Sequence, residues 1–212
     1  MEVRRRGAHN RGMRTIGGTA AILLLTVVSM PAKAALPQHL TMTVRVVNSP
    51  ISVVKTLAQA KRLVGEIFER VGVEIVWQDC PTETVCQTEP GAGSFRLEIL
   101  DTKQPPRYGD RTGFAVLSRD RTDGESYAAV LYPMVEAAAA DQGVKVAEVL
   151  AATMAHELGH LLLGAGSHRT RGVMSPRLGH QQLRLAARGE LLFTPEQATA
   201  IRAQLARRMA QQ

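Results

Sequence analysis

Residues 153–176 read TMAHELGHLLLGAGSHRTRGVMSP and bring together three histidines and a glutamate. His156 and His160 stand four apart, so in a helix they lie one above the other on one face. Two imidazoles so placed can share one divalent cation. Glu157 comes one residue after His156, about 100° further round the helix. It therefore flanks such an ion instead of binding it, and can take a proton from a water on the ion. Zinc lowers the pKa of bound water to about 7. Hydroxide at neutral pH beside a carboxylate base is chemistry suited to amide hydrolysis.

The surrounding residues support this reading. Val146, Val149, Leu150, Met154, Leu158, Leu161 and Leu162 make the helix largely apolar. Two histidines and a glutamate buried there without a partner are costly, and a divalent ion removes the cost. A catalytic zinc keeps three protein ligands and one open position. Gly164 and Gly166 can end the helix with positive φ, which turns the chain back and delivers His168 as third ligand. Met174 follows in a tight turn before Pro176. Other donors exist: Glu190 or Glu196 would suit a plan in which a glutamate on a later helix completes the site. Both also read as surface or capping residues. His180 stands further off, and His39 reads as solvated.

The segment resembles the metzincin metallopeptidases, whose extended motif is H-E-x-x-H-x-x-G-x-x-H followed by a methionine turn. The resemblance runs over residues 40–209. It implies His156, His160 and His168 as ligands of one zinc ion per chain, Glu157 as general base, Gly164 as the motif glycine and Met174 as the turn methionine beneath the metal. One departure is present. Seven residues separate His160 from His168 where the family has five, one extra on each side of Gly164. The return path of the chain must therefore differ.

These residues need a frame to hold them. LTMTVRVVN (40–48) alternates like a strand. Residues 52–72 carry a helical apolar stripe that Gly72 can stop, and VEIVW (73–77) is a second strand. Strand, helix, strand is the order of a parallel crossover. FRLEIL (95–100), GFAVLS (113–118) and SYAAVLYP (126–133) supply three more strands. VEAAAADQG suits helix or irregular chain. The metal helix covers about 144–163, and residues 178–190 are mixed, with helix as one option. Thr194, Pro195 and Gln197 form an N-terminal helix signature for the last element. The expected fold is α+β: a mixed, mostly parallel five-stranded sheet with a crossover helix, a zinc-binding active-site helix, a Met-turn and a C-terminal helix. The metzincin resemblance implies that the strand nearest the cleft binds extended peptide by strand addition. GFAVLS is the candidate edge, and 175–193 the candidate pocket wall.

The first 34 residues read as a secretory signal, leaving 35–212 as the catalytic domain. A basic start precedes an uncharged apolar run at 16–30, and AKA offers a cleavage site after Ala34. That run falls short of the roughly 20 residues of a membrane span. No later segment reads as long and apolar enough to cross. The chain carries +7, but five arginines and Lys33 lie in residues 1–34 against Glu2 alone, so the remainder is near +2. That excludes a basic nucleic-acid binder. Export to the exterior or periplasm makes a Cys80–Cys86 disulfide the expectation. Free thiols are the alternative, and a two-cysteine metal site lacks a second ligand pair nearby.

The sequence therefore predicts an exported zinc endopeptidase acting on peptide or protein substrates, with no nucleic acid and no lasting membrane association. The alternative is an exported binding protein that keeps zinc as a staple. Glu157 separates the two, because a structural site has no use for a base beside an open position.

Overall fold

Every second residue of strand β1 (Leu40–Val47) turns inward, with Leu40, Met42, Val44 and Val46 all at 1% exposure or less. Helix α1 (Val54–Glu69) buries Leu57, Ala60, Val64 and Phe68, one stripe at helical spacing. Gly72, at φ 80°, then reverses the chain into β2 (Val73–Cys80), which lies parallel to β1 from Leu40↔Val73 to Val47↔Cys80. This is the expected crossover. β2 runs three residues beyond the expected VEIVW because β1 continues to pair with it, and Lys61 of α1 forms an ion pair with Asp79.

The structure is a computed structural model that describes residues 40–47, 49–50, 53–80, 91, 93–102, 111–118 and 126–211. All belong to the unit Ala35–Gln212. Residues 1–34, where the sequence predicts a signal, as well as His39 and Cys86, lie outside the described residues. Cys80 is disulfide-bonded.

Strand β3 (Ser94–Leu100) adds to the other side of β1, and β5 (Tyr127–Leu131) to β3, both parallel. Strand β4 (Gly113–Val116) closes the sheet antiparallel to β5, giving the order β2-β1-β3-β5-β4. The fold is α+β with a mixed, mostly parallel five-stranded sheet. GFAVLS is thus an edge strand, though pairing stops at Val116, and Ser118 N donates instead to Ser126 Oγ at 2.9 Å.

The expected fifth strand does not reach Pro133. It ends at Leu131, and helix α2 (Tyr132–Gln142) takes Tyr132 and Pro133 into its first turn, ending at Gly143 with φ 63°. Proline's fixed φ and missing N–H fit a first turn as well as they end a strand, so the same residue serves both boundaries. The alanine-rich stretch is therefore helical.

Helix α3 (Val146–Leu163) runs through the centre and packs on α1, α2, β4, β5 and two later helices, α4 (His180–Ala187) and α5 (Pro195–Met209). By length and hydropathy α3 also meets the minimum for a membrane span, against the sequence expectation, yet 78% of it is buried inside the fold. It is apolar because it is the core helix. The capping signature of α5 is realised in full: Gln197 N donates to Thr194 Oγ1 at 3.3 Å, and Thr194 N to Gln197 Oε1 at 2.9 Å.

Candidate metal centre

Helix α3 presents two neighbouring faces to two different walls. Thr153 and Glu157 face β4, and His156 and His160 face the turn beyond the helix. Gly164 and Gly166 end the helix with φ 83° and 75°, and the chain doubles back to bring His168 over the two helical histidines. Two left-handed residues two apart accommodate the longer His160–His168 spacing without extending the helix.

The three Nε2 atoms form a nearly equilateral triangle. His160 lies 3.1 Å from His156 and 3.0 Å from His168, and His168 lies 3.3 Å from His156. Nitrogens bonded at about 2.0–2.1 Å to a tetrahedral ion sit about 3.3 Å from one another. The donor spacing matches. The three histidines can hold one metal ion.

The outer ring nitrogens explain why the lone pairs point inward. His156 Nδ1 lies 2.7 Å from the Val173 carbonyl oxygen. A carbonyl only accepts, so Nδ1 carries the proton and Nε2 of the neutral ring offers a lone pair. His160 Nδ1 meets Ser167 Oγ at 3.1 Å. Burial lowers the His156 pKa to about 4, aided by His160 and His168 and opposed by the Val173 hydrogen bond. Burial also lowers that of His160, with His168 adding to it and a hydrogen bond to the Gly164 backbone opposing. Both rings are thus neutral near pH 7, the form that binds metal.

Met174 is fully buried under the helix. A Cβ on Gly159 would collide with its sulfur and come within 3.1 Å of the Phe193 ring, so only glycine lets the turn approach. The turn is tied on both sides. Val173 N donates to Leu192 O at 3.1 Å, and Arg169 N donates to Met174 O at 2.8 Å. The methionine turn therefore fixes both the carbonyl that orients His156 and the strand of chain that carries His168.

Glu157 is only 6% exposed, and burial raises its pKa to about 8 against the opposing charge of Arg111. It lines a cleft of about 650 Å³ together with the three histidines and β4. Gly113 packs against it: a Cβ there would stand 3.0 Å from Glu157 Cγ and 2.8 Å from both Thr153 Cγ2 and the Ala129 carbonyl oxygen. Thr112 Oγ1 and Thr153 Oγ1 are hydrogen-bonded at 2.8 Å, which locks the start of β4 to α3.

Comparison with protein-family models and with curated proteins finds no match. The alternative third ligands stay apart from the site. His180 is exposed, Glu190 pairs with Arg188 at 2.9 Å, and Glu196 sits exposed in the first turn of α5. Among the described residues His156, His160 and His168 are the one grouping that could take a metal.

The expected pocket wall is present in part, since Ser175, Pro176, Leu178 and Leu183 line the cleft. Several contributors went unread in the sequence. Ser167 and the Val173 carbonyl orient the rings, and a backbone oxygen leaves no mark on residue type. Arg111 ends a segment that the sequence marks only as a turn-rich loop with two prolines. Met134 and Asp141 come from α2, whose helical state the alanines left open.

Proposed function

We propose that this chain is a metzincin-like zinc endopeptidase, exported to the cell exterior or periplasm, that hydrolyses peptide bonds in peptide or protein substrates. The observation that carries the reading is the triangle of three Nε2 atoms opening onto a cleft beside the buried Glu157 carboxylate. Three neutral imidazoles at this spacing suit zinc, the ion whose tetrahedral sites combine three such ligands with one open position. A staple needs no cleft and no buried acid beside its ligands, which speaks against the non-catalytic alternative.

When bound, zinc polarises a carbonyl and acidifies water. The chain's residues do the rest. The outer edge of β4 is unpaired among the described residues and offers backbone groups to an extended peptide. The apolar lining, including Phe114, Leu117 and Leu178, displaces water around the bond. Glu157 takes the proton of the attacking water and returns it to the leaving amine nitrogen. Its buried place on the cleft beside the histidines suits a group that must hold a proton between these two events.

The test is cleavage of a peptide library by the zinc-loaded chain beside Glu157→Gln. The expected result is cleavage by the wild type and a loss of about 100-fold or more in kcat for the variant with zinc still bound. Full activity of zinc-bound Glu157→Gln would remove Glu157 from the mechanism.

A further inference from the structure

Two cations in the cleft take no direct part in the hydrolysis above, although the charge of Arg111 acts on Glu157. Arg111 and Arg177 both line it and both are exposed. Neither forms an ion pair or side-chain hydrogen bond among the described residues. They come from different walls, Arg111 from the residue pair before β4 and Arg177 from the loop three residues beyond Met174.

Both are mounted on rigid backbone. Leu131 N donates to Thr112 O at 2.8 Å, and the Thr112–Thr153 bond and the tight Gly113 contact follow directly, so Arg111 is held beside Glu157. Ser175, buried at 5% exposure, donates its N–H to Gly172 O at 3.1 Å, and Pro176 then limits the chain entering Arg177. An arginine on a water-covered surface attracts little. In a cleft with Phe114, Leu117, Met134 and Leu178 on its walls, a bound substrate removes that water, and guanidinium can then meet carboxylate through two parallel hydrogen bonds.

Of the two acids of the cleft, only Asp141 lies on a wall without an arginine. Asp141 projects from α2 and is engaged by Gln142 Nε2, and Glu157 is the base. The two arginines therefore stand on the β4 and turn walls, and Asp141 on the α2 wall.

We propose that the cleft selects polypeptides with acidic side chains on both sides of the cleaved bond, one met by Arg111 and the other by Arg177. Asp141 repels acidic groups from the α2 wall and so gives the bound chain one direction. This rests on the peptidase reading and names its substrate class.

The experiment uses the zinc-loaded full chain and paired peptides that differ only by Glu or Gln at each position flanking the cleaved bond. The wild type should prefer Glu by about 10-fold or more in kcat/KM, mostly through KM, with the preference shrinking as salt rises. Arg111→Ala and Arg177→Ala should each lower the Glu/Gln ratio by about 3- to 10-fold, at different peptide positions. That range lies between an exposed ion pair and a charged hydrogen bond in a dry site. Arg177→Glu should invert the preference at its own position. The ratio is insensitive to partial misfolding, since both peptides meet the same enzyme. Cleavage with a ratio near one, or a ratio unmoved by either alanine, overturns the substrate class while the peptidase reading stands. A zinc-bound wild type that cuts no peptide in the library overturns both.

Discussion

Gly113→Ala separates the base from the metal. The added methyl would lie 2.8 Å from the Ala129 carbonyl oxygen, 2.8 Å from Thr153 Cγ2 and 3.0 Å from Glu157 Cγ. Ordinary carbon–carbon contact begins near 3.5–4.0 Å, so β4 and α3 must part by roughly 1 Å. One obstacle is backbone of β5, which is buried and paired on both sides, so little can yield. Overpacking of this kind costs about 1–3 kcal/mol, and the gain from replacing a strand glycine returns about 0.5–1 of it. The net expectation is a loss of about 0–2.5 kcal/mol in urea unfolding. The larger effect falls on Glu157, because a 1 Å displacement of a reacting group can cost about 100-fold in rate. The three histidines lie on the neighbouring face and keep their triangle, so zinc affinity should stay within a few-fold of wild type. Chelator competition gives the affinity, and peptide cleavage at saturating zinc gives kcat. A variant that loses zinc and activity together, or that keeps full kcat, refutes the placement of Gly113 against the base.

Gly159→Ala should do the reverse. Its methyl drives Met174 from beneath the helix and disturbs the Val173 carbonyl on His156, so zinc affinity should fall about 10- to 100-fold by chelator competition. The metal-free chain should also show a defined pH profile in urea unfolding. Glu157, raised from 4.5 to about 8, keeps in the folded state a proton the unfolded chain has shed, so its contribution declines as pH rises through that window. His156, lowered from 6.5 to about 4, acts in the opposite sense, and its contribution is lost as pH falls from 6.5 to 4. The two offset each other from about 4.5 to 6.5. Stability should then fall by about 2 kcal/mol between pH 6.5 and 8. A metal-free profile that rises across pH 6.5–8 contradicts the burial of Glu157.

The clustering of the three histidines was legible because its signals are local. The four-residue spacing of His156 and His160 sets their shared face, and Gly164 and Gly166 announce the reversal that returns His168. The parallel crossover likewise follows from alternation, one helical stripe and element order, whereas GFAVLS is marked as a candidate edge only by the family resemblance. What stayed hidden depends on residues distant in sequence. Asp79 belongs to β2 only because β1 extends beside it and Lys61 meets it. Pro133 closes a strand and opens a helix equally well, so β5 and α2 could not be divided by residue type. The tightness at Gly113 and Gly159 comes from Ala129, Thr153, Met174 and Phe193, which periodicity does not bring to those points.

X-ray absorption at the zinc edge of the loaded chain is the most direct test of the centre itself. Three imidazole nitrogens and one oxygen donor at about 2.0–2.1 Å, reduced to two imidazoles in His168→Ala, are the result expected from the triangle of Nε2 atoms. A spectrum with two imidazoles in the wild type, a sulfur donor, or no zinc retained at one equivalent contradicts it.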